Sequence, residues 1–260
     1  MRGLGAQSCA NISLMTYCVA AVTREGIVFA SDSRTNGGVD QISVFSKMNV
    51  FESPGERMIC LLSSGNLGTT QSVISLLHIR SKLDDGSINS TGILGLHHMY
   101  DVAVLVGQTL REVIARDGPN LAADGIDPGC TFILGGQIKG EPPRLFLVYP
   151  QGNFIEAMAD TNYFQIGERK YGKPMIDRVV TFQTPLKDVA KCILVSFDST
   201  MRSNLSVGLP IDLLGYEVDS LRVTHRRRYE EGDPYFATIS DFWSTGLLRV
   251  FAEVPDVTWN

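Results

Sequence analysis

The hydrophobic pattern of this chain changes period several times. Residues 16–22 form a short β-rich run, Thr23-Arg24-Glu25-Gly26 has turn composition, and residues 27–30 form a second apolar run that ends at Asp32. Two such runs around a glycine-containing turn predict a β-hairpin. Gly37-Gly38 marks a break, after which residues 42–50 read as a strand containing Lys47. A fourth strand, residues 58–62, leads into Ser63-Ser64-Gly65. The spacing then becomes helical. Val73, Ile74, Leu76 and Leu77 predict a helix over 69–82. Val102, Leu105, Val106, Leu110, Val113 and Ile114 predict another over 97–116. Strands are predicted again at 131–134, 144–149 and 154–157, punctuated by Gly135-Gly136, Pro142-Pro143 and Gly152. A second helical pair covers 173–181 and 186–199, and strand character returns around 216–226. Residues 236–251 are apolar in both registers, with helix preferred.

Strands, two helices, strands, two helices and strands again predict layers rather than parallel βαβ units. An α+β fold with two antiparallel sheets between helix layers satisfies this order. No linker divides the chain, so residues 16–260 are expected to form one domain, preceded by an extension, residues 1–15.

The chain has 260 residues, 44% apolar and 20% charged, with a net charge of −5. That balance is ordinary for a globular protein with a sizeable core. It argues against nucleic acid or an anionic membrane as the main partner. The five cysteines (Cys9, Cys18, Cys60, Cys130 and Cys192) are scattered, with no CxxC pair, which suggests neither zinc nor a disulfide framework and fits a reducing cytoplasm. No apolar run approaches the ~20 residues that span a bilayer, and residues 1–15 make a poor signal peptide.

The first hairpin brings chemistry together. With its turn centred between Arg24 and Glu25, Val22 falls near Ile27 and Thr16 near Ser33. Asp32 therefore lies beside the start of the first strand, and Lys47 on the following strand is within reach. A threonine hydroxyl is a weak nucleophile until a base takes its proton. An N-terminal α-amine, with a reference pKa of ~7.7–8.0, is suited to be that base. A lysine ammonium would lower the pKa of the amine, and an aspartate would keep the lysine charged and oriented. Gly65, at a strand end, can offer a backbone N–H to an oxyanion. On spacing alone, a structural use of these three side chains is the competing explanation.

Residues 16–22 (TYCVAAV) followed by 26–34 (GIVFASDSR), with Lys47 and Ser64-Gly65 beyond, resemble the opening of a proteasome β subunit. More narrowly, the Tyr-Cys-Val-Ala start, the Ser-Asp-Ser-Arg-Thr-Asn run and residues 167–174 (GERKYGKP) are similar to the Anbu family, bacterial homologues of the proteasome. The resemblance spans residues 16 to about 250. It implies a four-layer αββα N-terminal-nucleophile hydrolase fold, with Thr16 as nucleophile, its freed α-amine as base, Asp32 and Lys47 in support, and Gly65 as oxyanion donor. Ser33 and Asn36 would line the channel where a substrate backbone adds as a strand. Thr35, Phe45, Ser63 and Leu67 would shape the pocket beside the scissile bond. The family also implies assembly with copies of itself, as a ring or helical stack, through exposed apolar residues of the helix layers. No metal or organic cofactor is called for.

Two departures stand out. Where β subunits carry a serine after the glycine matching Gly167, this chain has Glu168; where they carry an aspartate three residues before a second serine, it has Ser203 before Ser206. Lys47 also sits one residue closer to the start than usual. These changes leave open a small-molecule amidohydrolase on the same fold, or a non-catalytic structural or recruiting subunit.

Residues 1–15 must be absent for Thr16 to act, since an amide nitrogen is no base. Initiation at Met15 with removal of that methionine, autocatalytic cleavage, and an artefactual extension are the three routes, and the Anbu resemblance favours the first.

Residues 167–173 also match P-loop spacing, but Pro174 replaces the Ser or Thr that binds magnesium, so a strand-to-helix turn is the simpler account. His97-His98 reads as a capping or solvated pair, and His225-Arg226-Arg227-Arg228 as a solvated edge or subunit contact.

Overall fold

The computed structural model describes residues 16–36, 42–82 and 92–259. The predicted break at Gly37-Gly38, the extension 1–15 and Cys9 lie outside them. Twelve strands and five helices occur among the described residues. One five-stranded sheet has the order β10 (Tyr163–Gly167), β1 (Tyr17–Thr23), β2 (Gly26–Asp32), β11 (Ile211–Glu217), β12 (His225–Tyr229), every pair antiparallel. The other runs β5 (Met48–Ser53), β6 (Arg57–Gly65), β7 (Cys130–Ile138), β8 (Arg144–Val148), β9 (Phe154–Glu156), also antiparallel throughout. A small hairpin, β3 (Arg34–Asn36) with β4 (Ile42–Val44), stands beside them.

The two-residue period of the strands sets the layers. Cys18, Ala20 and Val22 of β1 and Phe29 of β2 face the second sheet, meeting Met58, Cys60 and Leu62 of β6. The alternate residues Tyr17, Val19 and Ala21 face α3 (Lys173–Val179) and α4 (Leu186–Ser203), meeting Ile176, Val189, Ile193 and Phe197. The far face of the second sheet, with Ile59, Leu61, Phe132 and Leu134, is covered by Val73 and Leu77 of α1 (Leu67–Lys82) and by Val102, Val106 and Leu110 of α2 (Met99–Ala123). The result is the expected αββα sandwich. Both faces of β1 and β2 are buried, which is why these strands read as continuous apolar runs.

Several boundaries differ from expectation, each for a local reason. Residues 42–50 are not one strand: β4 ends at Val44 and β5 begins at Met48, so Lys47 sits in an irregular link. β7 continues through Gly135-Gly136 because the glycines fill a packing need. A Cβ at Gly135 would lie 2.8 Å from the Phe29 ring, and one at Gly136 2.1 Å from the Met58 carbonyl oxygen. The strand character around 216–226 resolves into β11 and β12, separated by a turn in which Asp219 and Leu221 adopt positive φ. α2 begins two residues later than expected, where Glu141 Oε2 accepts the Met99 N–H at 2.9 Å and Glu141 Oε1 meets His98 Nδ1 at 2.7 Å. It then continues through Gly118 and Pro119. β10 has no counterpart in the predicted elements. Residues 236–251 are helical, within α5 (Pro234–Ala252), whose first turn is capped by Asp233.

Phe29 is fully buried where the sheets meet. Phe29→Ala is expected to lower the unfolding free energy by about 3–5 kcal/mol, measured by urea denaturation. A loss under 1 kcal/mol would mean that the sheet interface closes around the gap.

Candidate active site

The hairpin register observed is Val22↔Ile27 through Cys18↔Ser31. It carries Asp32 to the start of β1, where its Oδ1 accepts the Tyr17 backbone N–H at 3.0 Å. Lys47 reaches the same carboxylate: its Nζ donates to Asp32 Oδ1 at 2.7 Å and to the Arg34 carbonyl at 2.7 Å. The backbone of Lys47 is fixed as well, since its carbonyl accepts the Ser63 N–H at 3.0 Å. Both side chains are buried, Asp32 completely. Among the described residues, Asp32 Oδ2 has no hydrogen-bond partner. Burial pushes the Asp32 carboxyl up to about 6, against the opposing pull of Lys47 and the Tyr17 N–H. Burial, reinforced by the nearby Asp32, likewise drives the Cys18 thiol well up, so it stays protonated; its Sγ faces the Ser63 carbonyl at 3.6 Å.

Thr16 is held from the other side. Its carbonyl accepts the Glu168 N–H at 2.6 Å, just beyond the end of β10. Gly167 makes this approach possible with φ +80°, because a Cβ there would lie 1.8 Å from the Thr16 oxygen. Burial of the Glu168 carboxyl opposes its charge, but hydrogen bonds from the Lys170 N–H, the Asn204 amide and the Arg169 N–H outweigh that and hold it below the usual carboxylate range. The Asn204 amide donates to Glu168 Oε2 at 3.0 Å. The two regions that depart from the β-subunit pattern therefore meet each other next to Thr16. Residues 167–174 form the anticipated strand-to-helix turn, with Pro174 in the first turn of α3.

A cavity of about 370 Å³ opens at this point. Thr16, Lys47 and Gly65 line it together with Phe45, Ser63 and Leu67, all named from the sequence. Asp32 stands behind Lys47. Gly65 has φ +114°, and a Cβ would lie 2.5 Å from the Gly129 carbonyl oxygen, so the end of β6 requires glycine. Ser33 is buried and does not line the cavity; its hydroxyl donates to Asp212 Oδ2 at 3.0 Å. Thr35 and Asn36 belong to the backbone of β3, paired with Ser43 and Ile42, and their side chains lie outside the described structure. The sequence did not single out Ser46, Asn49, Gln71 and Ile74, which also line the cavity, nor Asp212 and Arg228 beside it. The helical spacing of α1 carried a signal for Ile74. Asp212 had none, because only the pairing of β11 with β2 brings it here.

Solved structures resemble this chain closely. Anbu (ancestral β-subunit) from Yersinia bercovieri is 51% identical, with a TM-score of 0.87, and the match covers 94% of this chain and 100% of that one. An Anbu structure from Pseudomonas aeruginosa, described as the helical assembly of the Anbu complex, is also 51% identical, with a TM-score of 0.87, over 94% of this chain and 98% of that one. An Anbu variant from Hyphomicrobium sp. strain MC1 is 46% identical, with a TM-score of 0.85, over 94% and 100%. No protein-family model and no curated protein matches the chain.

The raised Asp32 pKa has a consequence for stability. The folded chain holds this proton up to about pH 6, whereas an unfolded aspartate releases it near ~3.9. The folded state thus binds more protons between these values, and stability from this group falls as pH rises through that window. Asp32→Asn has no such titration. Urea denaturation is expected to show the variant gaining on the parent between about pH 4 and 6, with a constant difference above. A constant difference throughout would place the Asp32 titration at its unfolded value.

Proposed function

This chain belongs to the Anbu family of proteasome-like proteins, and we propose that it is a threonine-type amide-bond hydrolase, a proteasome-like peptidase acting through Thr16. The carrying observation is one cavity onto which Thr16, Lys47 and Gly65 open, with Lys47 anchored at 2.7 Å on the buried Asp32.

In this mechanism the active form begins at Thr16, and residues 16–260 act as a single domain. The free α-amine takes the Thr16 hydroxyl proton as Oγ attacks the substrate carbonyl. The Lys47 charge lowers the pKa of that amine, keeping it unprotonated near neutral pH. Asp32 keeps Lys47 charged and directed. The Gly65 N–H stabilises the tetrahedral oxyanion. Collapse of the intermediate passes the proton to the departing amine and leaves an ester on Thr16. Water, activated by the same amine, then hydrolyses the ester. Initiation at Met15 followed by its removal is the route we favour.

The cavity of about 370 Å³ sits at the low end for small-molecule pockets, roughly 300–1,000 Å³. This size favours, as a second reading, a small amide as the substrate rather than a protein.

We further propose that copies of this chain assemble as a ring or helical stack, as the Pseudomonas aeruginosa relative's description suggests. α5 offers the surface: it buries Phe236 and Ile239 but leaves Phe242, Leu248 and Phe251 more than 70% exposed. Among the described residues no helix is long and apolar enough to cross a membrane. The described cysteines are all buried and unpaired, as a bacterial cytoplasm would allow.

A peptide epoxyketone tests the mechanism, because ring closure on it needs both a threonine hydroxyl and a free α-amine. The chain beginning at Thr16 is expected to gain one probe mass. Thr16→Ala is expected to lower the labelling rate by roughly a thousandfold or more. Equal labelling of Thr16→Ala, or of a chain retaining residues 1–15, would refute the assignment. For assembly, Phe242→Asp with Leu248→Asp is expected to yield a smaller species by light scattering. An unchanged mass would move the interface elsewhere.

A further inference from the structure

We propose that Asp212 is a positioning residue for the Thr16 site, its carboxylate clamping Ser33 and Ser46, the chain neighbours of Asp32 and Lys47. The proposal rests on the hydrolase mechanism given above and adds a part to it.

Asp212 lies in β11, opposite Ser31 of β2 and Arg228 of β12, and is 5% exposed. Its Oδ2 accepts the Ser33 hydroxyl at 3.0 Å and the Ser46 hydroxyl at 3.4 Å. Arg228 Nη1 donates to both carboxylate oxygens, at 2.9 and 3.0 Å, and also reaches Ser33 Oγ at 3.4 Å. One carboxylate therefore joins two segments that are distant in sequence. Ser33 directly follows Asp32, and Ser46 directly precedes Lys47.

The need for such a join is visible in the backbone. Asp32 ends a regular strand, but Lys47 stands in the irregular link between β4 and β5. That link is tied to the strand by the Phe45 N–H on the Ser33 carbonyl at 3.0 Å. The Ser46 hydroxyl, which also faces the Met48 carbonyl at 3.1 Å, adds a side-chain tie through Asp212. Consecutive Cα atoms are 3.80 Å apart, so holding residues 33 and 46 to one point restricts where Asp32 and Lys47 can go. Arg228 is exposed at its end of the pair, and an ion pair open to solvent contributes little net stability, so anchoring β12 alone is a weak reason for this one. Asp212 does not line the cavity and touches no reacting atom, so it acts through the ion pair.

Two variants separate this role from simple strand anchoring. Asp212→Asn keeps an acceptor but loses the charge that holds Arg228. The double variant Ser33→Ala/Ser46→Ala keeps the Asp212–Arg228 pair and removes only the clamp. Both are made in the chain beginning at Thr16, and epoxyketone labelling is resolved into its maximal rate and its half-saturating concentration. The expected result is a maximal rate about tenfold lower in each, with half-saturation within twofold of the parent. The pH midpoint of labelling is expected to rise in both, because looser contact with Lys47 lets burial push Asp32 further up. The other groups facing Asp32, namely Arg34, Cys18 and the Tyr17 N–H, are unchanged in these variants. A parental maximal rate and midpoint in the double variant would overturn the clamp, whether or not Asp212→Asn folds. If the parent itself is not labelled, the hydrolase mechanism fails. The clamp is then decided by urea denaturation against pH, with and without Asp32→Asn. A double variant whose Asp32 window ends higher than the parent's supports the clamp, and an unmoved window overturns it.

Discussion

A lysine ammonium and an aspartate carboxylate 2.7 Å apart, the carboxylate fully buried and the lysine nearly so, make the most demanding interaction in this molecule. Desolvating two charges costs several kcal/mol per ion, and their attraction repays this only when the geometry is held and further hydrogen bonds are made. Much of the surrounding structure meets that condition. The Tyr17 N–H and Lys47 Nζ converge on one Asp32 oxygen, the Arg34 carbonyl takes a second ammonium proton, and Ser63 pins the Lys47 backbone. The other Asp32 oxygen has no partner among the described residues, and burial lifts the carboxyl to about 6. A pair so costly to bury is poorly explained as a stability device; it makes sense as a charge kept close to Thr16.

The sandwich is what allows this placement. β1 and β2 are apolar on both faces, one against the helices and one against the second sheet, so neither strand can slip by one residue without reversing both faces. That fixed register puts Asp32 at the start of β1. β6 from the second sheet then brings Ser63 and Gly65 to the same edge, and β10 closes over Thr16 through Gly167. Positive φ at Gly65 and Gly167 marks the two points where backbone passes too close for a side chain.

Local signals carried the first hairpin, the helix spacings and the layer order. Runs of apolar residues around Arg24-Glu25 fix one register, and that register alone puts Asp32 beside the start of the first strand. Lys47 was reachable but not placed, because its segment is irregular and its position depends on Asp32, Arg34 and Ser63 together. Gly135-Gly136 looked like punctuation, yet both glycines sit inside β7 to admit the Phe29 ring and the Met58 carbonyl. Asp212 and Arg228 were invisible as site neighbours because only long-range pairing of β11 and β12 delivers them. The Glu168 departure was evident from the resemblance, but its bond to Asn204 was not, since the two stand 36 positions apart in sequence with a helix pair between them. Asp32 is thus placed by neighbours in sequence, whereas Asp212, Arg228 and Asn204 are delivered by the tertiary fold.

The mechanism stands or falls on the nitrogen of Thr16, which is basic only when no peptide bond precedes it. The intact mass of the purified chain, with its first residues sequenced, tests this most directly. The mechanism predicts a chain that begins at Thr16 in the preparation that reacts with amide substrates or threonine-directed probes. A reactive preparation in which every chain still begins at Met1 or Met15 would contradict it.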